Sequence, residues 1–128
     1  MRYLADTHAL IWWLNDDKLL SITARALMSN HTHEVFVSAA SAWEITTKHR
    51  LGKLPEAAHL AVDVEGTVKR ERFSPLPVTM AQAELAGRLK GAHRDPFDRM
   101  LMAQALTERL ILLSNESAFD AFGISREW

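Results

Sequence analysis

Short apolar runs alternate with segments of helical period along the chain, and this alternation limits the possible folds more than any other feature. Apolar or β-branched runs predict strands at residues 2–5, 35–37, 73–76, 110–113 and 124–128. Apolar side chains at helical spacing predict helices at residues 7–14, 21–30, 56–72, 79–89, 95–106 and 116–122, and one from Ser38 or Ser41 to about Gly52. Strands that alternate with helices indicate an α/β fold in which helices cover a parallel sheet. Pro75 and Pro77 favour an edge position for the third strand.

The length and composition suit one globular domain that spans residues 1–128. The chain has 128 residues, of which 48% are hydrophobic and 24% are charged, as in ordinary soluble domains. No apolar run approaches the roughly 20 residues that a membrane helix requires, and we expect no signal peptide because Met1 runs directly into the first strand. We therefore expect a cytoplasmic protein that does not enter a membrane. The absence of cysteine excludes disulfides and thiolate metal sites.

The formal net charge of −1 does not exclude a nucleic-acid partner, because the basic residues are clustered. One basic stretch covers residues 48–53 and a second covers residues 88–94. Both stretches are candidates for phosphate contacts. They can equally be solvated helix ends, where the helix dipole favours cations.

Four carboxylates stand near predicted strand ends or helix starts. Asp6 follows the first strand directly, and Glu116 lies three residues after the strand that ends at Leu113. Glu44 is on the second turn of the helix after the second strand, and Asp98 is in the first turn of its helix. Ligands of open α/β sheets collect beyond the carboxyl ends of the strands, so one edge of the sheet can present all four acids. Such a cluster would need a hard cation such as Mg²⁺ or Mn²⁺ to offset its charge.

Each acid also has a purely structural explanation. Asp6 can be the N-cap of the first helix, and Asp98 and Glu116 can be first-turn acids that face the helix dipole. Glu44 can pair with Lys48 at the favoured i, i+4 spacing on an exposed helix face. Against these explanations, Glu44 lies in an apolar stretch and Asp6 follows a strand expected at the sheet centre. An unpaired acid is costly to bury in either place.

The four acids lie, in order, in the segments YLADTHALIWWL, SAASAWEI, HRDPFDRMLMAQA and LLSNESAFDAF. These segments resemble the blocks in which PIN-domain ribonucleases of the VapC toxin type carry their acids. The resemblance covers nearly the whole chain, and the combination is specific although any single block is a weak signal. It implies a three-layer α/β/α sandwich with a central, mainly parallel sheet and divalent-metal-dependent cleavage of RNA, with tRNA as one candidate substrate. It also implies a homodimer and neutralisation by a cognate VapB-like antitoxin.

The resemblance assigns roles to individual acids. Asp6, Glu44 and Asp98 match the family's three principal acids. The segment Ser-Asn-Glu at residues 114–116 stands where the family usually has Thr-x-Asp, so the matching side chain of Glu116 is one methylene longer. The metal ligands and catalytic acids implied by the resemblance are therefore Asp6, Glu44, Asp98 and Glu116, with Mg²⁺ or Mn²⁺ as the cofactor.

Other polar side chains near these acids have smaller predicted roles. Asp95 is expected to cap the helix, and the Ser114 hydroxyl is expected to fix its loop or a metal-bound water. His8 and His93 flank acidic segments, and we interpret both as hydrogen-bonded structural residues. Arg99 is a candidate contact for phosphate or for the antitoxin.

These observations predict an endoribonuclease in which a carboxylate-bound cation polarises the phosphodiester and activates water. The resemblance implies products with 5′-phosphate and 3′-hydroxyl ends. A catalytically inactive PIN-like module that binds RNA or protein is an alternative, and its signature would be the loss of an acid, whereas all four acids are retained here. A phosphatase with an aspartyl nucleophile is a third hypothesis, but it would want a second acid two residues after Asp6, where this chain has His8.

Overall fold

The strands lie side by side in one parallel sheet. The computed structural model describes residues 1–93 and 95–128. Within these residues the strands are β1 (Arg2–Ala5), β2 (Glu34–Ser38), β3 (Ser74–Leu76), β4 (Ile111–Leu113) and β5 (Arg126–Glu127). Their order across the sheet is β3-β2-β1-β4-β5, and every neighbouring pair is parallel. The predicted parallel sheet is confirmed, with the proline-containing β3 at an edge.

Most helices begin where their capping signals predict. They are α1 (Thr7–Leu14), α2 (Ile22–Ser29), α3 (Ala39–Arg50), α4 (Ala58–Val62), α5 (Val64–Arg70), α6 (Met80–Arg88) and α7 (Pro96–Glu108). Of the two candidate caps for α3, Ser38 is correct, because its hydroxyl accepts the N–H of Ala40 at 2.9 Å. A first 3₁₀ helix spans Pro55–Ala57, and the last predicted helix is a second 3₁₀ helix at Ser117–Phe122. In residues 1–93 and 95–128, each helix is too short or too polar to cross a membrane.

The single helix predicted over residues 56–72 is wrong. The first 3₁₀ helix, α4 and α5 follow one another there, and the chain breaks at Asp63, whose φ of −156° and ψ of 83° are not helical. The Asp63 carboxylate accepts an N–H of α5 at 2.9 Å and so begins a new helix as its N-cap. The sequence pattern did not reveal this break, because the buried residues Leu60, Val64 and Val68 keep a helical spacing across it.

Helices cover both faces of the sheet. Successive side chains of a strand point to opposite faces. In β1, Tyr3 and Ala5 belong to a core shared with α1 to α5, whereas Leu4 belongs to a core shared with α7 and the second 3₁₀ helix. In β4, Leu113 and Leu112 divide between the two cores in the same way. The three-layer α/β/α sandwich is therefore confirmed.

The chain leaves β1 and β4 in opposite directions. From β1 it passes through α1 and α2 to β2 on one side, and from β4 it passes through the second 3₁₀ helix to β5 on the other side. Neighbouring parallel strands that diverge in this way form a topological switch point, and ligands of such sheets bind in the crevice beyond the carboxyl ends of these strands. The end of the β1–β4 pair is therefore the position at which the fold favours a site.

Candidate functional site

The four acids line one cavity of about 250 Å³ at this switch point. Asp6 and Glu116 come from the loops after β1 and β4, while Glu44 comes from α3 and Asp98 from the first turn of α7. The lining is completed by Thr7, His8, Lys48, Asp95 and Asn115. The structure therefore brings together all four acids named from the sequence, and their roles as metal ligands and catalytic groups stay a prediction.

Asp6 is held by the start of α1 and by burial. Its Oδ1 accepts the N–H of Ala9 at 2.8 Å, so the structural explanation of Asp6 as an N-cap is correct. The residue is only 8% exposed. Burial raises the pKa of its carboxyl group, although hydrogen bonds from Ser114 and Ala9 and the nearby His8 act in the opposite direction. The charge of Glu116 raises this pKa further. The Asp6 carboxylate therefore caps α1 and also belongs to the group of acids that line the cavity.

Glu44 is buried and has a partner on each carboxylate oxygen. Its Oε1 accepts a hydrogen bond from the Thr7 hydroxyl at 2.6 Å, and its Oε2 lies 2.5 Å from Lys48 Nζ. The predicted i, i+4 pair is thus present, but not on an exposed face, because the Glu44 side chain is 4% exposed. Burial lowers the pKa of Lys48, but the contact with Glu44 and the charges of Asp95 and Asp98 outweigh it and raise the pKa overall.

The first turn of α7 presents Asp98 to the cavity. The Asp95 carboxylate accepts the N–H groups of Phe97 at 2.8 Å and of Asp98 at 3.1 Å, and Pro96 occupies the first turn. Proline is well suited to this position, because its φ is fixed and an N–H there would have no helical partner. Asp95 is therefore the helix cap, as predicted.

Asp98 has a histidine partner and a raised pKa. The His93 Nε2 lies 2.8 Å from Asp98 Oδ2. Burial raises the pKa of Asp98 to about 6, although the hydrogen bond from His93 acts in the opposite direction. The negative charges of Asp95, Glu116 and Glu44 raise it further. Burial and the neighbouring carboxylates thus make Asp98 harder to ionise than an ordinary aspartate, while a pKa of about 6 still leaves it ionised at neutral pH.

His93, Asp98 and Glu116 form a compact group of potential ligands. One ligand atom from each residue lies within 4.8 Å of the others. The sequence pattern alone did not indicate His93 as a member of this group. His93 precedes Asp98 by five residues across a helix start, and that spacing has no fixed geometry, so the contact depends on the path of the loop.

Glu116 stands on the exposed side of the cavity. It precedes the second 3₁₀ helix and its side chain does not cap that helix. The buried Ser114 hydroxyl accepts the N–H of Glu116 at 3.0 Å, so the predicted contact of Ser114 with its loop is present. The backbone of this loop is therefore fixed, while the longer side chain of Glu116 reaches the cavity from its rim.

A larger cavity lies elsewhere and has a different character. Its volume is about 350 Å³, and its lining includes Val37, Val64, Val68 and Leu76 together with a single acid, Glu65. This apolar lining lacks the converging charged groups of the switch-point cavity. Chemistry on a charged substrate is therefore better supported at the smaller cavity.

The fold and the site define an α/β protein that carries a carboxylate cluster at the switch point of a parallel sheet. Carboxylate oxygens in this number suit a hard divalent cation. The chain belongs to the PIN domain family, whose model matches residues 3–124. The resemblance drawn from the four sequence segments is thereby confirmed.

Similarity to individual proteins agrees with this assignment. Ribonuclease VapC16 of Mycobacterium tuberculosis is 42% identical over 57 residues, which is 44% of this chain and 40% of that protein. The match thus spans less than half the length of this relative.

Solved structures share the fold over almost the full chain. VapBC2 from Rickettsia felis bound to a promoter DNA fragment has a TM-score of 0.70 at 17% identity, covering 99% of this chain and 98% of that chain. DNA-bound VapBC from Salmonella typhimurium has a TM-score of 0.69 at 20% identity, with coverages of 99% and 97%. VapC20 from Mycobacterium tuberculosis, a sarcin–ricin loop cleaving toxin, has a TM-score of 0.64 at 18% identity, with both coverages at 95%. At these identities the similarity establishes the fold.

Proposed function

We propose that this chain is a divalent-metal-dependent endoribonuclease and the toxin of a type II toxin–antitoxin module. The observation that carries the proposal is the convergence of four carboxylates on one cavity at the switch point of the sheet. Membership of the PIN domain family and similarity to a relative named as a ribonuclease support nuclease chemistry. The polar lining of the cavity suits a charged substrate such as a phosphodiester.

The donor set fits Mg²⁺ or Mn²⁺. We propose Asp6, Glu44, Asp98 and Glu116 as the residues that hold the cation, because hard dications prefer carboxylate oxygens. The raised pKa values of Asp6 and Asp98 support this fit. They mean that the protein groups around these carboxylates leave their negative charge undercompensated, a condition that a bound dication relieves.

A dication bound here would polarise a phosphodiester oxygen and lower the pKa of the attacking water. The protein's part is to hold its charged groups in place before the substrate arrives. Asp6 is oriented by the N–H of Ala9, and Glu44 is oriented by the Thr7 hydroxyl. Lys48 offsets part of the negative charge that would repel an approaching phosphate.

The partners of the chain form a second part of the proposal. We propose RNA as the substrate, with tRNA as one candidate, and a VapB-like antitoxin as the neutralising partner. Several proteins of the same fold were solved as VapBC complexes, which supports an antitoxin partner for this chain. A homodimer is the proposed assembly, and light scattering on the purified protein would measure it.

The central experiment compares RNA cleavage by the parent chain and by Asp6→Asn. Asparagine still accepts the N–H of Ala9 and caps α1, so the variant is expected to fold. We expect the parent to cut RNA in Mn²⁺ or Mg²⁺ and to leave 5′-phosphate ends, with cleavage stopped by EDTA and by the substitution. The matched control is Glu84→Gln, because Glu84 is an exposed acid of α6 that pairs with Arg88 outside the cavity.

Three results would contradict the proposal. Undiminished cleavage by rigorously purified Asp6→Asn would remove Asp6 from the mechanism, and cleavage that persists in EDTA would remove the metal. A parent that binds RNA tightly without cutting it under any of these conditions would instead favour the inactive binding module.

A further inference from the structure

His93 has a geometry that the proposed function does not yet use. Its Nε2 lies 2.8 Å from Asp98 Oδ2, and its side chain is only 14% exposed. The sequence alone indicates a hydrogen-bonded structural histidine that flanks an acidic segment. In the structure it is a direct hydrogen-bond partner of one of the four acids, and the remaining carboxylate oxygen of Asp98 is left for other contacts.

The His93 ring is held by two aromatic side chains. Its centroid lies 5.7 Å from that of Phe119 at an interplanar angle of 33°, and 6.3 Å from that of Phe122 at 88°. Phe119 is fully buried. Both phenylalanines belong to the second 3₁₀ helix, which directly follows Glu116. The imidazole is therefore packed against the segment that supplies another acid of the cavity.

The backbone of His93 is held from the other side by Arg99. The Arg99 guanidinium donates to the carbonyl oxygens of His93 and Ala86, each at 2.9 Å, and to that of Leu89. These bonds use one N–H of each guanidinium nitrogen, and a contact of Arg99 with phosphate or with the antitoxin stays a prediction. Because Arg99 directly follows Asp98, the same turn of α7 positions the Asp98 carboxylate and anchors the loop that carries His93.

The loop between α6 and α7, which carries His93, packs closely against the second 3₁₀ helix at Gly91. The Gly91 φ of +141° is one that residues with a side chain rarely adopt. A Cβ atom at this position would lie 2.5 Å from the ring of Phe122, one of the two rings that hold His93. The path that delivers the imidazole to Asp98 is thus set by backbone conformation and by packing together.

We propose that His93 is a positioning residue that donates its Nε2–H to Asp98 and thereby fixes this carboxylate for cation binding. The inference rests on the proposed function, because it assumes that Asp98 is a metal ligand. An ionised carboxylate can only accept a hydrogen bond, so the 2.8 Å contact requires the proton on Nε2. A nitrogen that carries this proton cannot bind the cation at the same time. The proximity of the His93 ring to Asp98 and Glu116 therefore indicates a support for the ligands and not a ligand.

The test compares His93→Leu with His93→Gln in the full chain. Leucine removes the donor, whereas the glutamine amide can still donate to Asp98. Hydrogen-bond partners of metal ligands typically contribute 10- to 100-fold in metal affinity or activity. We therefore expect His93→Leu to weaken Mn²⁺ binding, measured by isothermal titration calorimetry, by about 10- to 100-fold, and His93→Gln to restore most of it.

A second measurement uses the parent and does not depend on either variant folding. Two-bond ¹H–¹⁵N NMR spectra of the Mg²⁺-loaded protein report which imidazole nitrogen carries the proton. A protonated Nε2 on His93 is the expected result. An unprotonated Nε2 that shifts on Mg²⁺ addition would make His93 a ligand and overturn the positioning role.

The results separate this inference from the proposed function. If the parent binds Mn²⁺ and cuts RNA but folded His93→Leu binds Mn²⁺ with parental affinity, only the role of His93 is refuted. If His93→Gln folds and is as weak as His93→Leu, a hydrogen bond to Asp98 is not the reason for the loss. If the parent binds neither Mn²⁺ nor Mg²⁺, the proposed metal site fails, and this inference fails with it.

Discussion

Replacing Asp98 with asparagine should stabilise the metal-free protein near neutral pH and abolish most of its stabilisation by Mn²⁺. Burial raises the pKa of Asp98 from 3.8 to about 6, so the folded protein binds a proton more tightly than the unfolded chain does. The free energy of unfolding of the parent therefore decreases as the pH rises from about 4 to about 6, and the full penalty persists above that range. Asparagine carries no charge and avoids this penalty.

The magnitude follows from the pKa and from the exposure of the carboxyl group. The difference between 3.8 and about 6, at about 1.4 kcal/mol for each pKa unit, gives an upper limit of about 3 kcal/mol. The side chain is 21% exposed, and solvent screening reduces the figure to about 1–2 kcal/mol. Loss of a favourable charge in the first turn of α7 removes about 0.3–1 kcal/mol. We therefore expect Asp98→Asn to gain about 1 kcal/mol at pH 7.5 in EDTA.

Urea unfolding followed by circular dichroism measures this difference. In EDTA, the free energy of unfolding of Asp98→Asn should exceed that of the parent by the full amount at pH 7.5. This difference should shrink as the pH falls from 6 towards 4.5. With Mn²⁺ at about 100 times its dissociation constant, the parent should gain about 2.7 kcal/mol and become the more stable of the two proteins. Glu84→Gln is the control, and its free energy of unfolding should change with pH and with Mn²⁺ as that of the parent does.

Three outcomes would contradict the prediction for Asp98→Asn. If Asp98→Asn is less stable than the parent in EDTA at pH 7.5, the carboxylate is not under electrostatic strain. A gain that does not change between pH 4.5 and pH 7.5 would also refute the account, because it would have a cause other than ionisation. Equal stabilisation of both proteins by Mn²⁺ would remove Asp98 from the ligand set.

Two further substitutions test the packing and hydrogen bonds beneath the site. Phe119→Ala should lower the free energy of unfolding by about 3–5 kcal/mol, because Phe119 is fully buried, and should weaken Mn²⁺ binding through its contact with the His93 ring. Urea unfolding and calorimetry would measure these losses, and parental values for both would contradict the packing argument. Thr7→Val keeps the volume but removes the hydroxyl that donates to the buried Glu44, so urea unfolding in EDTA should show a loss of about 1–3 kcal/mol. A Thr7→Ser variant should lose less, and equal losses in both would point to packing as the cause.

Much of the fold could be predicted because its signals are local. Ser21, Ser38, Thr79 and Asp95 begin helices in the structure, since each side chain accepts an N–H that lacks a partner in the first helical turn. Leu112 and Leu113 are buried in β4, as their fully apolar run predicted. Local signals of this kind need nothing from the rest of the molecule.

Other features were hidden because they depend on competition between local preferences. The helical spacing of apolar residues continues across Asp63, so the sequence predicted one helix where the Asp63 cap starts a second one. The pairing of Glu44 with Lys48 was also visible, but its burial was not. An i, i+4 spacing is the same on an exposed face and in a cavity, and packing against other elements decides between them.

The sequence by itself determined the strands, most of the helices and several of their caps, and the four acids beside strand ends and helix starts. The tertiary structure decided that β1 and β4 are neighbours, and so that Asp6 and Glu116 face the same crevice. It also decided that the loop before α7 turns His93 towards Asp98. The physical reason is that hydrogen bonds within a turn join residues close in sequence, whereas strand order and loop path result from burying both faces of the sheet at once.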